Sequence, residues 1–150
     1  MMNKWLKYFL VAVLVFCLIL VRAFENELFY DPFLAYFARN FENIAFPYYD
    51  LGKVNASISL RYAINALLTT FIIAVLFQNK KYTKFTILVL IFGFMILLPI
   101  YNYAIKEEFK LMANLGFTIR RFLLQPLFVL ILIPAFFYQN YQKKNNSELN

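Results

Sequence analysis

The sequence predicts an all-α membrane protein: a bundle of four transmembrane helices with a short interfacial helix in the first outer loop. Three observations predict it. Four apolar stretches, each near bilayer length, fill most of the 150 residues. Charged residues make up only 15% of the chain and gather at the ends of those stretches, whereas soluble domains carry about 25%. No alternation of polar and apolar residues persists over the length a membrane strand needs, which argues against a barrel.

The first span covers about 5–24. Lys4 and Lys7 precede the uncharged run Tyr8–Val21. A basic start before an apolar core also marks a secretory signal, but Val21-Arg22-Ala23 is not a small-x-small cleavage site, so a retained anchor helix is expected. At about 1.5 Å per residue, 20 residues reach roughly 30 Å, enough to cross. The second span covers about 58–77. The third, 85–105, is wholly uncharged and contains Gly93 and Pro99. Pro99 removes a backbone hydrogen bond, so a kink is expected there. The fourth covers about 122–138, with Pro126 near its start and Pro134 inside. The bundle occupies 1–142, and the polar tail 143–150 reads as loose in water.

The connection 25–57 is not a polar linker. Asp31 before Pro32 is a helix start, because Asp accepts a cap bond and Pro fits the first turn. Phe33, Leu34, Phe37 and Phe41 then recur at helical spacing, with Arg39, Asn40 and Glu42 elsewhere around the axis. A helix over about 32–42 is expected, lying in the interface with its aromatics inward.

Orientation follows from Lys and Arg. With both termini cytoplasmic, the inner segments hold 7 of these residues in 26 positions and the outer segments 8 in 56. Seven of the eight acids then fall outside. All five arginines, Arg22, Arg39, Arg61, Arg120 and Arg121, are outer, while seven of ten lysines are inner. Arg grips carboxylates and phosphates with two bonds, so the outer face suits anion contact. Lipid phosphate, or internal pairs with Glu25, Glu27 and Asp31, would use the same chemistry.

Polar groups at four-residue spacing mark the candidate site. Arg61, Asn65 and Thr69 form a stripe along one helix face, stepping from the boundary towards the membrane centre. Arg121 and Gln125 form a second pair at the outer end of the fourth span. Two uses are open, interhelical bonding and a recognition cleft. The candidate binding groups are Arg22, Glu25, Glu27, Asp31, Arg61, Asn65, Arg120, Arg121 and Gln125. No catalytic residue is assigned. Neither Glu25 with Glu27 nor Glu107 with Glu108 has the spacing that puts two carboxylates on one helix face.

Several classes are disfavoured. The net charge of +7 lies at span ends, not on a soluble patch, so no nucleic-acid partner is expected. There is no His, and Cys17 stands alone in mid-span; the common zinc sites and a Cys-His nucleophile cannot be built from this chain. No cofactor is expected. No acid lies inside a span, which argues against a proton-coupled transporter. A small membrane enzyme acting on a lipid-linked substrate, with Asp31 or Glu27 as base, is the alternative reading.

Three blocks, RAFENELFYDPFLAYF (22–37), RYAINALLT (61–69) and RRFLLQPLFVLILIPAFFYQ (120–139), resemble the exosortase F system-associated membrane proteins of the Bacteroidetes. The resemblance covers most of the chain and rests on polar residues matched at the membrane boundary. It implies a bacterial inner-membrane protein encoded alongside an exosortase, a transpeptidase-like membrane enzyme that uses Cys, Arg and His on C-terminal sorting signals. This chain lacks the His and keeps its Cys in mid-helix, so it resembles the companion, not the enzyme. The expected role is non-enzymatic, motivated by the charges placed at the boundary: binding the exosortase, or the sorting helix of an exported protein, at the outer leaflet.

Overall fold

The computed structural model describes residues 3–38, 45–109 and 113–148. Every regular element among them is a helix: α1 (Lys4–Ala23), α2 (Glu25–Leu28), α3 (Phe33–Ala38), α4 (Leu51–Phe77), α5 (Lys80–Lys106), α6 (Ala113–Leu124) and α7 (Leu127–Glu148). By length and composition, α1, α4 and α5 can each cross a bilayer, and the bent pair α6–α7 is a fourth candidate.

Local chemistry sets the helix ends. The Asn3 side chain accepts from the Trp5 N–H at 3.2 Å and caps α1. Asp50 caps α4 by accepting from the Gly52 and Lys53 N–H groups at 3.0 and 3.3 Å. Asn79 caps α5 by accepting from Lys81 N–H at 2.9 Å. Each cap satisfies backbone donors that a helix start leaves open. Gln78, at φ 47°, ends α4 in the left-handed region. Gln78 and Asn79 therefore make a two-residue turn that folds α5 back along α4.

α4 is the hub and packs against α1, α5, α6 and α7. One apolar cluster joins Phe33, Val54, Ile58, Tyr62, Leu90, Tyr101, Ile105, Phe109 and Leu123 near the start of α4. Leu18, Ile72 and Val129 form a second cluster on the α1 side of the last turns of α4. Ile73, Tyr82, Leu132 and Phe136 meet near its end. The outward faces remain apolar: Phe9, Phe16 and Ile19 on α1, and Leu88, Ile91, Phe92 and Met95 on α5, are all exposed. Water does not favour so continuous an apolar surface, whereas hydrocarbon accepts it without cost.

The observed elements differ from the expected ones at several points. The fourth span, expected over 122–138, is broken: α6 and α7 meet at 72° around Gln125 and Pro126. Pro126 has no N–H to continue the helix, and the residue before a proline avoids the helical region. The segment before it, read as a connection, forms α6. The tail from 143, expected to be loose, continues α7 as helix to Glu148. The second and third spans begin earlier, at Leu51 and Lys80, and α5 runs on through Pro99. Within the expected helix 32–42, α3 covers Phe33–Ala38; Arg39, Asn40, Phe41 and Glu42 lie outside the described residues.

α5 leads to α6 by an unusual backbone. Glu108 and Phe109 both have positive φ, 51° and 56°. That costs energy for a side chain with a Cβ, and burial of the Phe109 ring offsets it. The ring is 2% exposed and meets Phe33, Phe37 and Tyr101 at centroid distances of 5.7, 4.9 and 6.1 Å. Gly116 of α6 makes room, since a Cβ there would overlap the Phe109 ring.

Candidate functional site

A chain of charges joins four elements at the end of the bundle where α1 stops and α4 starts. Glu25, on α2, is paired with Arg22 at 3.2 Å and with Arg61 of α4. Asp31, at the entry to α3, lies 3.9 Å from Arg61 Nη1 and accepts from Arg120 Nη2 of α6 at 2.5 Å. The order is Arg22–Glu25–Arg61–Asp31–Arg120. Only Arg22, at the open end, is half exposed; the side chains of Arg61, Arg120, Glu25 and Asp31 are 2%, 10%, 11% and 12% exposed. The two inner arginines and the two acids balance in charge. A lone buried guanidinium would be costly in lipid, and the alternating signs remove that cost.

Aromatic rings cover the flat faces of the guanidinium groups. Arg61 lies 5.6 Å over Phe29, and Arg120 lies 5.6 Å over Phe37. Ring faces attract cations, and the edges stay open to the carboxylates. Each guanidinium is therefore held on its face and on its edge.

The polar stripe on α4 faces the bundle interior. Arg61, Asn65 and Thr69 are 1%, 6% and 1% exposed. The Asn65 amide donates to the Leu124 carbonyl at 3.1 Å. That carbonyl ends α6 at the break, where the helix has stopped supplying donors. One step along, the Tyr62 hydroxyl donates to the Leu90 carbonyl of α5 at 2.7 Å. Two polar side chains on one face of α4 thus fasten α6 and α5.

The expected residues divide into four groups. Arg22, Glu25, Asp31, Arg61 and Arg120 come together in one network. Asn65 lies below it as a helix-to-helix bond. Glu27 and Arg121 are exposed and stand apart, with Arg121 lying 5.6 Å over Phe117. Gln125 sits at the break; its N–H donates to the Arg121 carbonyl at 2.9 Å. Arg121 and Gln125 thus keep their four-residue helical spacing at the end of α6, while the neighbouring Arg120 is the arginine that meets Asp31. The Asp31 carboxylate meets two guanidinium groups, and its backbone carbonyl accepts from the Leu34 N–H at 3.3 Å. Tyr62 and Phe109 escaped the sequence reading, since nothing in the pattern separates them from the other rings.

Arg22 and Gln125 also flank an apolar groove of about 410 Å³ between α1 and α7. Its walls include Leu18 and Ile19 on one side and Val129 and Leu130 on the other, with Ile72 of α4 in the lining. Comparison with protein-family models, with curated proteins and with solved structures found no match.

Proposed function

We propose that the chain is a non-enzymatic accessory protein of an exosortase-type sorting system, embedded in the bacterial inner membrane with both termini cytoplasmic. Its task is to bind the exosortase, or the sorting helix of an exported protein, at the outer leaflet. The observation that carries this reading is the charge network. The three blocks on which the family resemblance rests supply all of its members: Arg22, Glu25 and Asp31 from the first, Arg61 from the second, Arg120 from the third. Blocks far apart in sequence meet in one built feature at the membrane boundary, as a shared task at that boundary would require.

The network holds the frame and leaves other groups to meet a partner. Glu25 and Asp31 are engaged by arginines, so the exposed Glu27 is the acid available to the basic flank of a sorting helix. The groove between α1 and α7 offers apolar walls for the helix itself, with Arg22 and Gln125 beside it. The alternative reading, a membrane enzyme using Asp31 as base, fares worse, because the Asp31 carboxylate already serves Arg120 and faces Arg61.

The test is a mild-detergent purification of the tagged full chain from its native host. Exosortase or a sorted protein is expected to copurify, and Leu130→Trp, which fills the groove, is expected to abolish it. Leu88→Trp, an equal change on the exposed face of α5, should leave copurification intact. Copurification unchanged by Leu130→Trp would remove the groove from the account, and absence of both partners with the unaltered chain would remove the function.

A further inference from the structure

The two ends of the bundle treat their charges differently. At the arginine end the buried Arg61 and Arg120 each meet an acid. At the other end lie seven lysines, Lys4 and Lys7 on α1, Lys80, Lys81 and Lys84 on α5, and Lys143 and Lys144 on α7. No acid occurs between Asp50 and Glu107, nor between Glu108 and Glu148. No ion pair joins Lys81 or Lys143 to an acid among the described residues. Lys81 and Lys143 thus bring two positive charges to the facing ends of α5 and α7.

A cavity of about 520 Å³ opens at this end, between the start of α5 and the second half of α7. Lys81, Gln139 and Lys143 are among its polar lining, and Tyr82, Phe85 and Phe136 among its apolar lining. Tyr82 is the fixed element, at 4% exposure. Its ring stacks on Phe136 at 4.5 Å, and its hydroxyl donates to Asn140 Oδ1 at 2.6 Å. Lys143 Nζ lies 5.4 Å over the same ring. The ring thereby holds one ammonium beside the cavity, while Lys81 supplies a second.

We propose that this cavity binds the phosphate headgroup of an anionic lipid. Two ammonium groups and a side-chain amide suit phosphate oxygens. Basic pockets between transmembrane helices at the membrane surface are suited to such headgroups. A lipid fits better than a free anion because the lining is amphipathic. Phe85 and Ala135 continue the cavity towards the exposed apolar surface of Leu88 and Ile131, where acyl chains would lie. The exposed Tyr138 and Tyr141 mark the water boundary at the same level.

The experiment is native mass spectrometry of the full chain in detergent with an equal mixture of phosphatidylglycerol and phosphatidylcholine. The chain is expected to retain one phosphatidylglycerol in preference. In K81Q/K143Q that preference is expected to fall about thirtyfold, the effect of two lysines near a lipid surface. K80Q/K84Q removes the same charge from residues outside the cavity and should keep the preference. Both pairs are exposed, so folding is not at stake. Equal loss in the two variants would reduce the effect to diffuse attraction and overturn the site, as would equal retention of the two lipids by the unaltered chain. An excess of inorganic phosphate should leave the lipid bound; displacement would assign the cavity to a free anion and overturn the lipid.

Discussion

Arg61 is the residue on which most of the others depend. It touches both acids of the network, and Phe29 covers its face. Removing one partner from a buried ion pair leaves the other charge stranded, which costs about 3–5 kcal/mol. Arg61→Ala is therefore expected to lower the unfolding midpoint in detergent sharply. The double substitution Glu25→Gln with Arg61→Met removes both charges and should be milder than Arg61→Ala alone. A double variant as unstable as the single would mean that packing of the Arg61 side chain, not its charge, carries the effect. Gly116 makes a second residue-scale prediction. A methyl group there would overlap the Phe109 ring, and that ring is fixed by its left-handed backbone and its burial. Gly116→Ala is expected to cost about 1–3 kcal/mol as overpacking, and Phe109→Leu in the same chain should recover part of it in thermal unfolding.

At the scale of elements, the break between α6 and α7 organises the arginine end. It turns α6 by 72° away from α7, and α6 carries Arg120 to Asp31. The break leaves the Leu124 carbonyl without its helical donor, and Asn65 supplies one. Asn65→Leu keeps the apolar volume and removes that donor. A loss of about 1–2 kcal/mol is expected, together with faster amide hydrogen exchange at the start of α7. No change in exchange would show that the carbonyl does not need Asn65. Apolar length made the long helices legible in sequence, and Pro126 was visible near the start of the fourth span. Its consequence was not legible, because prolines inside α5 and α7 leave those helices continuous. At the break the Leu124 carbonyl takes its donor from Asn65 of another helix, and that is a tertiary fact. The candidate site was legible by residue type: charges at a membrane boundary must be paired or hydrated, so Arg61 and the acids after α1 stood out. Their pairing was not, since choosing Arg120 over Arg121 depends on how α6 is turned.

At the scale of the whole molecule, the account is a bundle with two chemically distinct ends. The arginine end is neutralised from within and built from three separate blocks. At the lysine end, Lys81 and Lys143 flank the cavity between α5 and α7. α4 and α5 fold back on each other through Gln78 and Asn79, and α7 returns so that Asn140 meets Tyr82 at the lysine end. α1 runs from Lys4 to the network at Arg22, a distance of roughly 27 Å at about 1.5 Å per residue. The central claim is that four crossings separate the two ends. It is tested by thiol labelling in a Cys17→Ala background, with single cysteines replacing the exposed Tyr48, Lys80 and Asn145 and an impermeant maleimide applied to intact cells. Position 48 should react at once, and positions 80 and 145 only after the membrane is opened. Reaction at 145 alongside 48 in intact cells would mean that the bent pair does not cross, and reaction at 80 with silence at 48 would invert the molecule.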